Sequence, residues 1–380
     1  MTHPLHWMMV CLMVLSMQIL AGCSGTVPPV APPAAEEKGV ACPEPNPRLQ
    51  VTSTTVNLFV WVQYIPQEIY DCFEQVYGLD INLDEYSTDE EMVAKLSAGG
   101  ANYDLVVPSD YSLDLMIRQE LIQPLDADQL HIMDNFDPLF LDQPFDPGNL
   151  YTVPSTAGTE SIFVHTAKVE SVPQSFADFW KPEYAGRIVM LDSPRTVIGL
   201  TLLSLGYDPS TQDPAQLEQA KAKLLALVPN IKLFDSDSPK TALLAGDADL
   251  GMAWSAEAVI ASQEEPAIQY IYPSEGAIRW QVNLAIPSVA AHVDATYAFI
   301  NYLHQPDVFW RALVDYPNTL PNTAALDYAQ THYPELYEAY SQSPITNPPA
   351  AVLAQAHFLR DVGDALPLYD RIWTEIKGQN

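Results

Sequence analysis

Positive charge is what this chain has least of: 17 Lys and Arg stand against 48 Asp and Glu in 380 residues, a formal net charge of −31. Holding nucleic acid requires a basic face that replaces counterions on phosphate, so that class of partner is excluded. Cysteine is sparse as well. Of four, Cys11 and Cys23 fall at the N-terminus, leaving Cys42 and Cys72, and no paired-cysteine metal motif exists. Beyond the N-terminus no apolar run is long enough to cross a bilayer. The loud catalytic signatures are missing too: no His-Glu-x-x-His, no phosphate loop and no nucleophile elbow. His131, His165, His292, His304, His332 and His357 are scattered. Neither enzyme chemistry, a cofactor nor a metal site is therefore expected.

What is present begins with a short apolar stretch from Trp7 to Leu20, followed by Ala21-Gly22-Cys23. It has the length and ending of an export signal, with only the α-amino group, His3 and His6 as its polar start. Cys23 after Leu-Ala-Gly resembles a bacterial lipobox, which implies acylation of its thiol, and each buried methylene contributes ~0.8 kcal/mol to membrane anchoring. Residues 1–22 read as signal and 23–52 as a proline-rich tether, because proline at this density favours extended, solvated chain. The expected location is outside the cell membrane, lipid-anchored, facing the periplasm or the exterior. There an oxidising compartment permits a Cys42–Cys72 disulfide, and the residues leave free cysteines equally open.

From Thr55 the chain alternates. Thr55–Trp61 is a β-branched and aromatic strand, Pro66 opens a helix that stops at Gly78, and Ile81–Leu83 is a second strand. Thr88 caps a helix with Glu91 at its third position, Tyr103–Val107 is a third strand, and Tyr111 starts another helix. Strands over Gly186–Leu191 and Ala248–Trp254, with helices over Val197–Leu205 and Gln216–Leu227, repeat the pattern. This alternation predicts an α/β fold with a parallel sheet and right-handed crossovers, its ligands at the carboxyl ends of strands. That rule points to Trp61, Tyr64, Ser109 and Tyr111. Two such lobes would place a cleft between them.

Val-Trp61-Val-Gln-Tyr64-Ile-Pro66, Tyr103-Asp-Leu-Val-Val-Pro-Ser109-Asp-Tyr111 and Gln143-Pro-Phe-Asp-Pro147 resemble motifs of the spermidine/putrescine-binding proteins of bacterial ABC importers. So do Phe179-Trp-Lys-Pro-Glu-Tyr184, Leu250-Gly-Met-Ala-Trp254, Ile278-Arg-Trp280 and Leu284-Ala-Ile-Pro287, in the family's order. The resemblance implies a two-lobed type II periplasmic-binding fold with a hinge and an inter-lobe cleft. It implies lobes of 53–158 with 281–326 and of 159–280 with 327–380. A monomer is expected, with a small-molecule amine as ligand and a permease and ATPase as partners. The implied ligand residues that keep their type are Trp61, Tyr64, Ser109, Tyr111, Trp254 and Trp280, aromatic faces that pack methylenes and attract ammonium groups.

The charged positions differ. Where the family usually carries acids, this chain has Val282, Ser193 and Thr196, with Asp192 beside them; Leu359 and Asn318 replace a glutamine and a tyrosine. Glu257, three residues after Trp254, is the expected carboxylate for an ammonium, with Asp110 and Asp192 as further acids. Strand alternation puts Arg279 and Gln281 on the face away from Trp280 and Val282, which argues against an anion site. No Tyr-Tyr pair stands where a ferric-ion carrier of this fold would need one. The remaining readings are a ligand-sensing or scaffolding lipoprotein of the same fold, and a binder of a neutral or anionic solute.

Overall fold

The computed structural model describes residues 42–99 and 102–379. The expected signal, Cys23 and the spacer as far as residue 41 lie outside the described residues. Residues 42–53 carry no helix or strand, as their prolines require. A disulfide joins Cys42 to Cys72, with Cα atoms 5.1 Å apart at a sequence separation of 30. Closing such an interval contributes about 3–4 kcal/mol on the loop-entropy account.

The first half builds one α/β unit. Strand β1 (Thr55–Trp61) leads to helix α1 (Gln67–Tyr77), which follows Pro66 and ends at Gly78 with φ 69°. Strand β2 (Asp80–Tyr86), helix α2 (Asp89–Ser97), strand β3 (Leu105–Val106) and helix α3 (Asp110–Arg118) follow. β1 lies between β2 and β3 and is parallel to both. The Thr88 hydroxyl accepts from the Glu91 amide at 3.1 Å, so α2 is capped as its sequence predicts.

Strand β4 (Thr152–His165) then crosses to a second unit. This unit holds β5 (Ile188–Met190), α4 (Pro194–Leu203), α5 (Pro214–Leu227), β6 (Ile231–Phe234), α6 (Lys240–Ala245), β7 (Leu250–Trp254), α7 (Ser255–Glu264) and β8 (Ile268–Ile271). β9 (Ile278–Ala285) returns to the first unit and leads to α8 (Val293–Leu303); short β10 (His357–Phe358) pairs with β9. The sheet order is β2-β1-β3-β9-β4-β7-β5-β6. An all-parallel sheet does not result. β5 is parallel to its neighbours, but β3–β9, β4–β9 and β4–β7 are antiparallel. The reason is that β4 and β9 run between the units in opposite directions, not through helical crossovers.

These two strands serve both hydrophobic cores. β4 gives Val153 to the first core and Ile162 and Val164 to the second; β9 gives Ile278 to the second and Val282 and Leu284 to the first. Gly158 and Gln281 lie between those sets. One expected boundary moves. After Leu326 the chain was expected in the second lobe, yet Ala329 and Tyr340, on helices Thr323–His332 and Pro334–Gln342, bury in the first core. The second core is rejoined by Leu359 and the helix Leu366–Lys377. Those two helices pack on each other and against the short helices Pro306–Phe309 and Ala312–Asp315 that follow α8, which holds them there.

Candidate functional site

The strand ends of both units meet at one cavity of ≈ 160 Å³. Trp61 closes β1 and donates its indole N–H to the Val107 carbonyl at 2.8 Å. Tyr64, in the following turn, is within 2.8 Å of both Ser155 Oγ and Thr156 Oγ1 on β4, and burial pushes its hydroxyl up to about 12. Ser109, just before α3, makes a bridge to Val282 on β9. The Tyr111 hydroxyl donates to Glu90 at 3.3 Å. These residues form the first wall.

The second wall comes from α4, β7, α7 and β9. Ser193 donates to Thr196 Oγ1 at 2.9 Å. The Trp254 indole donates to the Ser236 carbonyl at 3.0 Å and meets Trp280 edge to face at 6.5 Å. Trp280 lies directly over Gly158, where an added Cβ would sit 2.4 Å from Cζ2 of the indole. Glycine there is needed for space. All ten residues expected at the ligand site line this cavity: Trp61, Tyr64, Ser109, Tyr111 and Val282 with Ser193, Thr196, Trp254, Glu257 and Trp280.

Electrostatics depart from expectation in three places. Glu257 is already paired, because Lys240 holds its Oε1 at 2.7 Å, while its Oε2 is buried with no hydrogen-bond partner. Asp192 is outside the lining and pairs with Lys377 at 2.7 Å. Arg279 does line the cavity, with its guanidinium 4.1 Å from the centre of the Phe358 ring. Its Cα alternates as expected, yet the long side chain still reaches the cavity lining; burial lowers its pKa, and the charge of Asp110 opposes that shift. Gln281 is buried away from the cavity and bonds the Phe140 carbonyl and Asn283. Arg195 is structural: it sits between Tyr111 and Tyr369 and donates to the Arg360 carbonyl at 2.7 Å.

Four acids gather where sequence reasoning placed one. Asp89 and Asp110 open α2 and α3, Glu90 follows Asp89, and Glu160 stands in β4 opposite Trp254 and Ile278. Asp89, Asp110 and Glu160 are at most 4% exposed. Asp89 accepts from the Ser109 amide and the Ser112 hydroxyl, both at 3.0 Å. Yet Asp89 Oδ2, Asp110 Oδ2 and Glu160 Oε2 are buried with no hydrogen-bond partner. Burial, reinforced by mutual repulsion, pushes Glu160 up to about 8, Glu90 up to about 7 and Asp110 well above the carboxylate range; burial alone raises Asp89. A signal existed for Glu160, the one charge in an otherwise uncharged segment from Tyr151 to Val164. Asp89 carried none, since an acid in a helix's first turn is ordinarily a solvated partner of the dipole. Among the described residues no group of three His, Cys, Asp or Glu is arranged to hold a metal.

Two α/β units, linked by crossing strands and lining one aromatic cavity, define a two-lobed extracellular solute-binding protein. The bacterial extracellular solute-binding protein family model matches residues 68–339, and the chain belongs to that family. It is 32% identical to the spermidine/putrescine-binding periplasmic protein 1 of Haemophilus influenzae over 329 residues, 85% of this chain and 89% of that one. It is 34% identical to the spermidine/putrescine-binding periplasmic protein of Salmonella typhimurium over 328 residues, 85% of this chain and 91% of that one. Among solved structures, a putative spermidine/putrescine ABC transporter protein from Listeria monocytogenes superposes with a TM-score of 0.81 at 27% identity, covering 86% of this chain and all of that one. The first two are named as periplasmic binding proteins and the third as an ABC transporter. Among the described residues no helix is long and apolar enough to cross a membrane.

Proposed function

We propose that the chain captures a small organic amine between its lobes and delivers it to the permease of an ABC importer. The observation that carries this reading is the pairing of aromatic walls with buried, unpartnered carboxylate oxygens at Asp89, Asp110 and Glu160. Aromatic faces stabilise an ammonium by ~0.5–2 kcal/mol each when dry, and a micromolar ligand needs ~8 kcal/mol net. Several rings plus one desolvated ion pair reach that figure. The names of the relatives agree with an amine as the class of ligand. We place the protein outside the membrane as a monomer, acylated at Cys23, with lobe 1 formed by 53–158, 281–326 and the two helices to Gln342. The cavity serves binding, with no turnover of the ligand.

Calorimetry on the purified protein with putrescine, spermidine, choline and succinate tests the reading. Tight binding of an amine, weakened at least about tenfold by Trp280→Ala, is expected. Binding of succinate alone would mean that Arg279 sets the specificity and that the amine reading is wrong.

A further inference from the structure

The acids around the cavity fall into two sets: at one end Glu257 is paired with Lys240, and at the other the buried acids act on one another. At the α2/α3 end stand Asp89, Asp110 and Glu160, each nine-tenths buried or more and each with an oxygen that nothing satisfies. Their charges act on one another: Asp89 repels both Asp110 and Glu160, and Glu160 repels Asp110. Among the described residues Arg279 is the one cation lining this end, with its guanidinium over Phe358, and Arg195 stands behind Tyr111, where it acts on Glu90. Burial and mutual repulsion hold these acids towards their protonated forms, and a ligand cation with N–H donors would supply both the counter-charge and the partners their buried oxygens lack.

The end near Trp254 differs. Glu257 is 12% exposed and Lys240 17% exposed at their side chains, and they form an ion pair at 2.7 Å. A second ammonium arriving here would meet a carboxylate that is already neutralised, with Lys240 repelling it. Asp237 is exposed at the rim, where water screens it. Of the buried polar atoms here, Trp280 Nε1 is a donor with no acceptor, Ser236 Oγ has no partner, and Glu257 Oε2, on the carboxylate that Lys240 already neutralises, is open to a neutral N–H donor. An indole N–H can only donate, so the ligand atom it requires is an acceptor. An unbranched diamine in its charged form offers none.

Resting on the amine reading above, we propose that this cleft selects an amine charged at one end only. Its ammonium is held by Glu160, Asp89 and Asp110, and an uncharged acceptor such as an amide carbonyl lies by Trp280, Ser236 and the Lys240–Glu257 pair. A mono-N-acylated diamine has this chemistry. Glu160 and Lys240 are then the specificity-determining residues, one by attracting a cation and the other by refusing a second.

The test compares N-acetylputrescine, putrescine and spermidine by calorimetry on the wild-type protein and on Glu160→Gln and Lys240→Gln, with thermal melts to establish that each variant folds. N-acetylputrescine is expected to bind at least tenfold more tightly than putrescine. Glu160→Gln should lose at least tenfold of that affinity. Lys240→Gln, by releasing Glu257, should narrow the preference over putrescine severalfold. Putrescine or spermidine binding as tightly as the acetylated amine would overturn the single-charge inference and leave the amine reading intact. So would a Glu160→Gln protein that melts normally and binds N-acetylputrescine unchanged. If no amine binds at all, the reading beneath the inference fails and the inference falls with it.

Discussion

Glu160 concentrates the chemistry of the cleft in one side chain. It faces Asp89 from α2, Asp110 from α3, Thr196 from α4 and Tyr270 from β8. Burial holds its carboxyl near 8, so without ligand it is largely protonated at pH 7. An ammonium favours the carboxylate, so binding at neutral pH must expel a proton. Affinity should climb from pH 6 to pH 8 and flatten above it, and calorimetry in buffers of different ionisation enthalpy should show proton release that Glu160→Gln abolishes. The sign for stability is opposite. A carboxyl whose folded value is raised binds a proton that the unfolded chain gives up, so the ligand-free fold gains stability as pH falls from 8 towards 4.5. Gly158 acts by space. A methyl there would meet Trp280 Cζ2 and Ser255 Oγ, both at 2.4 Å, and must push the indole off β4. Gly158→Ala should cost at least tenfold in amine affinity and about 1–3 kcal/mol of stability, read from titration and denaturant melts.

At the scale of elements, the end of α8 carries a second titration with a different consequence. His304 caps that helix, is fully buried between Phe136 and Phe309, and has neither ring nitrogen partnered. Burial lowers it from 6.5 to about 3. Its contribution is therefore whole above pH 6.5 and is lost as pH falls towards 3, at roughly 1.4 kcal/mol per pH unit. His304→Leu should move the midpoint of acid unfolding, followed by circular dichroism, to lower pH; an unchanged midpoint would place the acid-sensitive group elsewhere. Elements also explain what the sequence made legible. β1 and α1 stay within the first unit and β7 within the second, so their periodicity and ends mark them; Trp61 follows from the rule about strand ends and Trp254 from the family resemblance. β4 serves both cores. Val153 faces one and Ile162 the other, with Ser155, Thr156, Gly158 and Thr159 packed between, so no single period runs through it. A strand that is hard to see hides the acid it carries, which is why Glu160 went unread while Glu257, in an ordinary helical turn, stood out. Nor could spacing show that Lys240, 17 residues earlier, occupies Glu257.

At the scale of the molecule, the two units joined by β4 and β9 already touch across the cleft, where Arg118 pairs with Asp361 and Arg195 lies over Tyr111, and a ligand adds to these contacts. The walls are unequal in origin: Trp61 belongs to the first unit and Trp254 to the second, and neither packs against the other. A ligand gripped by both must pull the units together, because each ring loses its contact when the cleft opens. Ligand-induced closure thus couples binding energy to lobe docking. At a ligand concentration one hundred times Kd, the folded state gains about 2.7 kcal/mol by mass action. Truncating a ring on either wall should diminish that gain in the same way. Trp61→Ala and Trp254→Ala are each expected to weaken an amine at least tenfold and so remove about 1.4 kcal/mol of the stabilisation at fixed ligand, measured as the shift in thermal midpoint with and without amine. If Trp61→Ala alone abolished the shift while Trp254→Ala left it whole, the ligand would rest on one lobe, and closure could not be what presents it to a permease.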